Sequence, residues 1–100
     1  MNYAVPPLQI LPDIVKAVGG KMKIMVDCGF ESGMDVFKAL ALGADCVCVG
    51  RNLMEPLKEG ADGVTRRINE MNNELVKIMA RTGFKSLDEI DSSVIWKRTV

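Results

Sequence analysis

The sequence predicts an α/β fold in which two parallel strands lie between helices. Two short apolar runs, at about residues 22–27 and 45–50, have the character of strands, and the apolar residues between them recur at helical spacing. A strand, a helix and a second strand in immediate succession form one βαβ unit, whose strands run parallel. Both runs are apolar at successive positions, which is typical of strands covered on both faces.

Helical periodicity places one helix before the first strand and another between the strands. The first helix covers about residues 9–18 and ends at Gly19. The second begins after Ser32, because Ser32 and Asp35 match a capping box, and it ends at Gly43.

A third and longer helix follows the second strand. A turn-rich stretch at 55–63 precedes it, and its apolar stripe covers about 64–80 before Gly83 ends it. The pattern at 86–89 matches another capping box and predicts a short helix. Residues 1–7 are predicted to be irregular, since two adjacent prolines favour extended backbone.

Two strands are too few for a complete sheet. A parallel pair leaves two open edges, and the helices carry more apolar surface than one strand pair can cover. We therefore interpret residues 1–100 as a single partial domain. It either belongs to a larger α/β sheet or barrel, or it completes itself by self-association as a homo-oligomer.

The balance of charge argues against several classes of partner. Thirteen Lys and Arg residues offset 13 Asp and Glu residues, so no strong field attracts nucleic acid or an anionic membrane. No apolar stretch is uninterrupted enough to span a membrane, and no signal-peptide pattern begins the sequence. We predict a cytoplasmic location, with the charges from Lys58 to Arg67 on solvated faces.

Cysteine and histidine content limits the redox and metal chemistry of the chain. Three cysteines, Cys28, Cys46 and Cys48, give no disulfide framework, and a reducing compartment suits them. Their spacing favours small buried core residues over a redox or metal cluster. The sequence contains no histidine, which is the commonest metal ligand and general base, so we predict no metal site.

Candidate binding residues follow the two predicted strands. In α/β architectures ligands bind at the carboxyl ends of strands, which here are residues 27–33 and 50–52. Their glycines allow close approach of the backbone, and a helix beginning near Gly33 would offer free N–H groups to an anion. Arg51 adds a guanidinium that suits phosphate. Glycines after strands are often plain turn residues, so the spacing alone leaves a phosphate site and ordinary turns as alternatives.

Four motifs in a fixed order carry a resemblance to a known family. They are residues 11–20 (LPDIVKAVGG), 26–29 (VDCG), 33–44 (GMDVFKALALGA) and 49–51 (VGR). In this order and spacing the chain resembles the C-terminal part of the FMN-dependent α-hydroxy-acid oxidases and dehydrogenases, which include glycolate oxidase and lactate oxidase. The resemblance continues to residue 90 and implies a TIM (β/α)8 barrel whose seventh and eighth strands are the two predicted here.

The resemblance also implies a cofactor and a reaction. The cofactor is FMN, and the reaction oxidises a small 2-hydroxy acid to a 2-oxo acid, with hydride passing to the flavin. The resemblance places the Asp27 carboxylate at the ribityl hydroxyls, and backbone groups of 29–31 with Gly50 and Arg51 around the phosphate. The cofactor-binding residues that it implies are Asp27, Cys28, Gly29, Phe30, Glu31, Gly50 and Arg51.

Two residues depart from the family pattern at this implied site. Cys28 stands where glycine is usual, which adds a side chain where backbone must come close. Glu31 stands where the family has arginine, so a cation beside the phosphate becomes an anion. Both changes disfavour FMN binding.

The residues that would perform the reaction lie outside the part of the family that the chain resembles. The family's histidine base and substrate-binding arginine precede the seventh strand, and this sequence has no histidine. We therefore predict no catalytic residue and no activity for the chain alone, with a missing N-terminal barrel portion as the partner that completes it. The alternative is a non-catalytic half barrel that self-associates and binds a phosphate-bearing ligand.

Overall fold

In the computed structural model, which describes residues 4–96, the chain is a mixed α/β unit with two parallel strands and flanking helices. Its strands are β1 (Met25–Asp27) and β2 (Cys46–Cys48), and its helices are α1 (Pro7–Val18), α2 (Gly33–Ala41), α3 (Met54–Leu57) and α4 (Ala61–Thr82). Short 3₁₀ turns occur at Arg51–Leu53, Leu87–Glu89 and Ser92–Val94. The α/β prediction is confirmed at this level.

Helix α1 begins earlier than its apolar pattern predicts. Pro7 occupies the first helical turn, where its missing N–H would have no partner in any case and its fixed φ suits a helix. The predicted irregular segment is therefore limited to residues 4–6, since residues 1–3 lie outside the described part of the chain. Gly19 ends the helix as predicted, in the left-handed conformation with a φ of 60°.

The strands pair in parallel as predicted, but each is only three residues long. The register joins Met25 to Cys46, Val26 to Val47 and Asp27 to Cys48. Around Ile24 the pairing is irregular, because its N–H donates to the Asp45 carboxylate at 2.8 Å while its carbonyl accepts from the N–H groups of Asp45 and Cys46. The first predicted strand, about 22–27, thus begins too early but ends correctly, and the second, about 45–50, is too long at both ends.

One face of this two-stranded sheet is covered and the other is open. Val26 is only 8% exposed on the covered face, whereas Met25 is 66% exposed on the opposite face. Cys46 shares the face of Met25 and is exposed, and Cys48 is half-buried. The prediction of strands covered on both faces is therefore wrong for the described residues, and so is the prediction of a buried Cys46. Both errors have one cause, since no helix of residues 4–96 packs over this face.

The core consists of two clusters that share α2. The first cluster, beneath the sheet, contains Leu11, Val26, Phe30, Ala39 and Ala44. The second cluster, beside α4 and the C-terminal turns, contains Phe37, Ala41 and Ile90. Helix α2 contributes to both because it lies between the sheet and α4 and buries residues on two sides.

Helices α2 and α4 pack closely because Gly33 has no side chain. An ideal Cβ placed on Gly33 would lie 2.5 Å from the Met71 carbonyl oxygen and 2.6 Å from the Leu75 nitrogen, both backbone atoms of α4. Across the same contact the Gly33 N–H donates to the Glu74 carboxylate at 3.0 Å. The first turn of α2 therefore rests directly on the backbone of α4.

The stretch predicted to be turns before the long helix contains α3. Pro56 lies in the first turn of α3, a position that proline tolerates. Gly63, in the first turn of α4, lies so close to α3 that an added Cβ would be 2.1 Å from the Pro56 carbonyl oxygen. The close contact explains why helices form in a segment that is rich in turn-forming residues. Helix α4 begins at Ala61, which is earlier than its apolar stripe predicts.

Helix α4 is the longest helix of the described residues, with 22 residues. Gly83 ends it as predicted, with a φ of 85°. Its apolar residues occupy one stripe and its charged residues the remainder, as expected of a helix that packs on a core from one side. Nowhere in residues 4–96 does a helix combine the length and the apolarity needed to cross a bilayer.

The helix predicted near residue 87 is only a 3₁₀ turn, Leu87–Glu89. The side chain of Ser86 makes no capping hydrogen bond. Instead, the Glu89 carboxylate accepts a hydrogen bond from the Lys85 N–H at 2.7 Å. The Glu89 carboxylate thus caps the turn at Lys85, the residue before the predicted cap Ser86. The turn does not continue into an α-helix.

Candidate functional site

The carboxyl ends of β1 and β2 open into one cavity of ≈ 810 Å³. Parallel neighbouring strands end at the same edge of a sheet, so the loops that follow them meet there. The cavity is lined by Asp27, Cys28, Gly29, Phe30, Glu31, Gly50, Arg51, Asn52 and Glu55. The fold therefore brings together all seven cofactor-binding residues that the resemblance implies. It adds Asn52, from the candidate segment 50–52, and Glu55, which was not a candidate.

Three residues that line this cavity have backbone N–H groups without a partner in the hydrogen bonds of the described loops. Within residues 4–96, no loop or side-chain hydrogen bond uses the N–H groups of Gly29, Phe30 or Gly50. An added Cβ at Gly29 or Gly50 would meet nothing within 4 Å, so these glycines border open space. Gly29 has a φ of 47°, which only glycine adopts readily. The loops thus present unused donors to the cavity.

The charged side chains around the cavity are mixed in sign. Three carboxylates, of Asp27, Glu31 and Glu55, face one guanidinium, that of Arg51. Glu55 is paired with Lys58 at 2.9 Å, whereas Arg51 makes no ion pair with any other described residue. Both Glu31 and Arg51 are exposed, so solvent screens their effect on a bound anion.

Two N–H groups in the first turn of α2, where the sequence predicts free donors for an anion, already have partners within the protein. The Gly33 N–H donates to the Glu74 carboxylate at 3.0 Å, and the Asp35 N–H donates to Ser32 Oγ at 3.3 Å. The Glu31 N–H donates to the Asp35 carboxylate at 3.0 Å. A negative side chain from α4 thus already complements the positive end of α2.

Ser32 and Asp35 form only part of the predicted capping box. The serine hydroxyl accepts from the Asp35 N–H, as a cap should. The Asp35 carboxylate, however, accepts from the N–H of Glu31 and not from that of Ser32. This shift fixes the peptide that enters α2 and so fixes the last residue of the cavity loop.

Arg67 of α4 is joined to both cavity loops, although the sequence analysis places it on a solvated face. Its side chain is 23% exposed. Its Nε donates to Asn52 Oδ1 at 3.2 Å, and its Nη2 donates to the Glu31 carbonyl oxygen. The Asn52 Nδ2 donates to the same carbonyl at 3.2 Å. The sequence does contain a signal for this position, because Arg67 precedes the buried Met71 by one helical turn and shares its face.

Cys28 lies between the cavity and the first core cluster. It is half-buried and packs against that cluster. Burial, followed by the charges of Asp27 and Asp35, raises the pKa of the Cys28 thiol above its ordinary value. A thiol with a raised pKa stays protonated at neutral pH and is a poor nucleophile. Among residues 4–96, no group of histidine, cysteine and carboxylate side chains is arranged to hold a metal ion.

Comparison with known proteins places the chain among flavin enzymes. It matches the family described as FMN-dependent dehydrogenase over residues 1–97. It is 42% identical over 90 residues to a 2-hydroxyacid oxidase of Dictyostelium discoideum, covering 89% of this chain and 23% of that protein. It is 44% identical over 91 residues to an L-lactate oxidase of Lactobacillus jensenii, covering 90% of this chain and 22% of that protein.

Solved structures of mandelate oxidase share both the sequence and the fold. The structure with benzoyl-formic acid superposes with a TM-score of 0.80 at 39% identity, covering 88% of this chain and 27% of that chain. A mandelate oxidase variant with a monooxide FMN adduct superposes with a TM-score of 0.81, covering 28% of that chain. The chain therefore spans about a quarter of the length of the relatives that it matches. Because the family match extends over nearly all of its residues, the chain belongs to the FMN-dependent dehydrogenase family.

Proposed function

We propose that this chain is the FMN-phosphate-binding end of a barrel oxidoreductase that acts on 2-hydroxy acids. The observation that carries the proposal is the meeting of all seven sequence-derived site residues around one cavity, at the carboxyl ends of two parallel strands. Phosphate sites of (β/α)8 barrels form in this position, from the loops after the last two strands and a short additional helix. We assign helix α3 and the 3₁₀ turn before it, which follow β2 in the chain, to the role of that short helix.

We further propose that β1 and β2 are the seventh and eighth strands of the barrel. The open face of the sheet supports this, because the inward-facing residues of a barrel are covered by side chains from the other strands. Met25, at 66% exposure, is the clearest example of a residue left without cover here. The chain spans about a quarter of its relatives, which is the share expected of two strand–helix units in eight.

The donors of the cavity fit the phosphate end of FMN. The N–H groups of Gly29, Phe30 and Gly50 belong to residues that line the cavity, and an added Cβ at either glycine would meet nothing within 4 Å. We assign these N–H groups and the Arg51 guanidinium to the phosphate. The Asp27 carboxylate is assigned to the ribityl hydroxyls, which can donate to it. FMN, when bound in an enzyme of this class, supplies the acceptor for the hydride that leaves the hydroxy acid.

Glu31 limits this affinity, and its replacement by arginine should raise it. The Glu31→Arg change removes a like charge beside the phosphate and adds a cation that can donate to it. Since Glu31 is exposed, we expect FMN to bind roughly five- to tenfold more tightly, and not by the larger factor of a buried site. Quenching of flavin fluorescence during titration with protein measures the affinity.

The control for this prediction is Asp13→Arg, which makes the same charge change on exposed α1 outside the cavity. We expect it to leave FMN affinity unchanged within about twofold at physiological salt, because the distant charge is screened. Equal affinity of the parent chain and Glu31→Arg would contradict the placement of the phosphate beside this loop. An equal gain in FMN affinity in both variants would show that the net charge of the chain, and not the position of residue 31, causes the effect.

The chain alone should not oxidise lactate or glycolate, even with FMN added. The sequence has no histidine, so the side chain that most often abstracts a proton as general base is missing. Bleaching of the flavin absorbance by either substrate under anaerobic conditions is the measurement. A complete lactate oxidase bleaches under the same conditions and serves as the positive control. Any substrate-dependent bleaching by this chain would contradict the prediction.

A non-catalytic role is the second candidate, favoured by the open face of the sheet. In that case the chain self-associates, and the cavity binds a phosphate-bearing ligand without reaction. Adding the N-terminal three-quarters of a relative distinguishes the two candidates. Recovery of substrate-dependent flavin bleaching supports the barrel proposal, whereas phosphate-ligand binding without any such recovery supports the non-catalytic role.

A further inference from the structure

We infer that Arg67 is the positioning residue of the cavity, because its guanidinium fixes the loop after β1 against the loop after β2. By holding these loops, Arg67 helps to set where the N–H donors of Gly29 and Phe30 lie. This effect on loop geometry needs no ligand. The effect on FMN affinity that follows from it rests on the proposed function.

The contacts of Arg67 reach three elements at once. Its Nε and Nη2 donate to Asn52 and to the Glu31 carbonyl, one residue in each cavity loop. Its Nη1 donates to the Glu70 carboxylate at 3.0 Å, which holds the guanidinium plane against α4. The three bonds use three edges of one planar group, so the two loops are held at a fixed spacing.

The Glu31 carbonyl is the point at which the loop after β1 is held. It accepts from both Arg67 and Asn52, while the N–H of the same residue donates to Asp35. Upstream of it, Phe30 and Cys28 pack in the first core cluster, while Gly29 between them has a positive φ and an added Cβ there would meet nothing within 4 Å. The loop is therefore held by the core on one side and by the Glu31 carbonyl on the other, and the direction of its donors depends on both.

Asn52 cannot replace Arg67 in this arrangement. Its Oδ1 accepts from Arg67 Nε, and its Nδ2 also donates to Met71 Sδ at 3.2 Å. Without Arg67 the amide loses the donor to its Oδ1, and only the weakly accepting Met71 sulfur is left to help orient its Nδ2 toward the Glu31 carbonyl. A lysine at position 67 keeps the charge but carries one ammonium in place of a fork, so it cannot span both loops.

The thiol of Cys28 reports on the loop without any ligand. Cys28 lies in the loop after β1 and is half-buried against the core, so opening of the loop exposes it. In a background with Cys46→Ser and Cys48→Ser, Cys28 is the only cysteine of the chain. Its rate of reaction with a disulfide reagent at fixed pH measures how often the loop opens.

We expect Arg67→Met and Arg67→Lys each to raise the labelling rate of Cys28 about tenfold, as the loss of a charge-assisted hydrogen bond implies. The control is Arg66→Met, which makes the same charge change on α4 at a side chain that is 56% exposed and contacts neither loop. It should label at the parent rate. Equal labelling of the parent and Arg67→Met, an equal increase in Arg66→Met, or full rescue by Arg67→Lys would overturn the inference.

If Arg67→Met does not fold, Asn52→Ala decides the question. It removes the amide bond to Glu31 and leaves α4 intact. Cys28 should again label several-fold faster, and adding Arg67→Lys to Asn52→Ala should produce little further increase, because both act through one network. An unchanged rate in Asn52→Ala would overturn the inference.

Protection of Cys28 by FMN separates this inference from the proposed function. FMN should slow labelling in the parent chain and in Arg66→Met, and it should protect Arg67→Met only at about tenfold higher concentration. If FMN protects no variant, the proposed function fails while the ligand-free rates still decide the role of Arg67. If FMN protects the parent and Arg67→Met equally, the ligand part of the inference is wrong.

Discussion

Replacing Gly33 by alanine should destabilise the fold by about 2–3 kcal/mol, because the new methyl group has no space. Its Cβ would lie 2.5 Å from the Met71 carbonyl oxygen and 2.7 Å from Glu74 Cβ, so α2 must move away from α4. The movement also stretches the hydrogen bond from the Gly33 N–H to Glu74. Urea unfolding followed by circular dichroism measures the loss.

Gly50→Ala is the matched control for this substitution. Gly50 has a φ of −124°, which other residues tolerate, and an added Cβ meets nothing within 4 Å. Its stability should stay within about 0.5 kcal/mol of the parent chain. A Gly33→Ala variant as stable as Gly50→Ala would show that α2 does not rest on the backbone of α4.

The isolated chain should form dimers or larger assemblies at micromolar concentration. Its sheet has an uncovered face with Met25 at 66% exposure, and Ile10 and Ile14 of α1 are each 41% exposed. Burying apolar surface contributes roughly 25 cal/mol per Å². Summed over several such side chains, the free energy of association is large compared with the free energy of unfolding of a small domain. Sedimentation equilibrium over a range of concentrations measures the association.

A charge on the open face should weaken this association. We expect Met25→Lys to raise the dissociation constant at least about tenfold, since an ammonium would have to be buried between the copies. Met22→Lys is the control, because Met22 is 67% exposed yet precedes the strand. A folded monomer with cooperative unfolding at all concentrations, or equal weakening by both variants, would contradict assembly through this face.

The pattern of the sequence predicts helices well where local signals agree with packing. The glycines at 19 and 83 end α1 and α4 as predicted, since left-handed caps are a local property. The length of the strands is not local, because the Asp45 carboxylate takes the place of a ladder bond at Ile24. The turn-rich stretch becomes α3 only through its contact with Gly63, which sequence periodicity does not reveal.

The sequence predicts which strand-end residues lie together, but it predicts neither the presence of Glu55 nor the hydrogen bonds among the lining residues. Parallel strands bring their carboxyl ends together, so motif positions sufficed to collect the residues from Asp27 to Glu31 with Gly50 and Arg51. The pairing of Gly33 with Glu74 required knowing that α4 crosses the start of α2. The role of Arg67 was missed for the same reason, because residues 15 and 36 positions apart meet there.

The close packing of α2 on α4 also bears on the order in which the chain folds. The strands β1 and β2 pair residues separated by a short stretch of chain, so the βαβ unit closes a small loop. The contact between Gly33 and Glu74 spans 41 positions and closes a larger one. During synthesis the βαβ unit is complete before α4 has been made, and the two cavity loops emerge without their support from Arg67. We therefore expect docking of α4 to be the step that converts a local supersecondary unit into a cavity of defined shape.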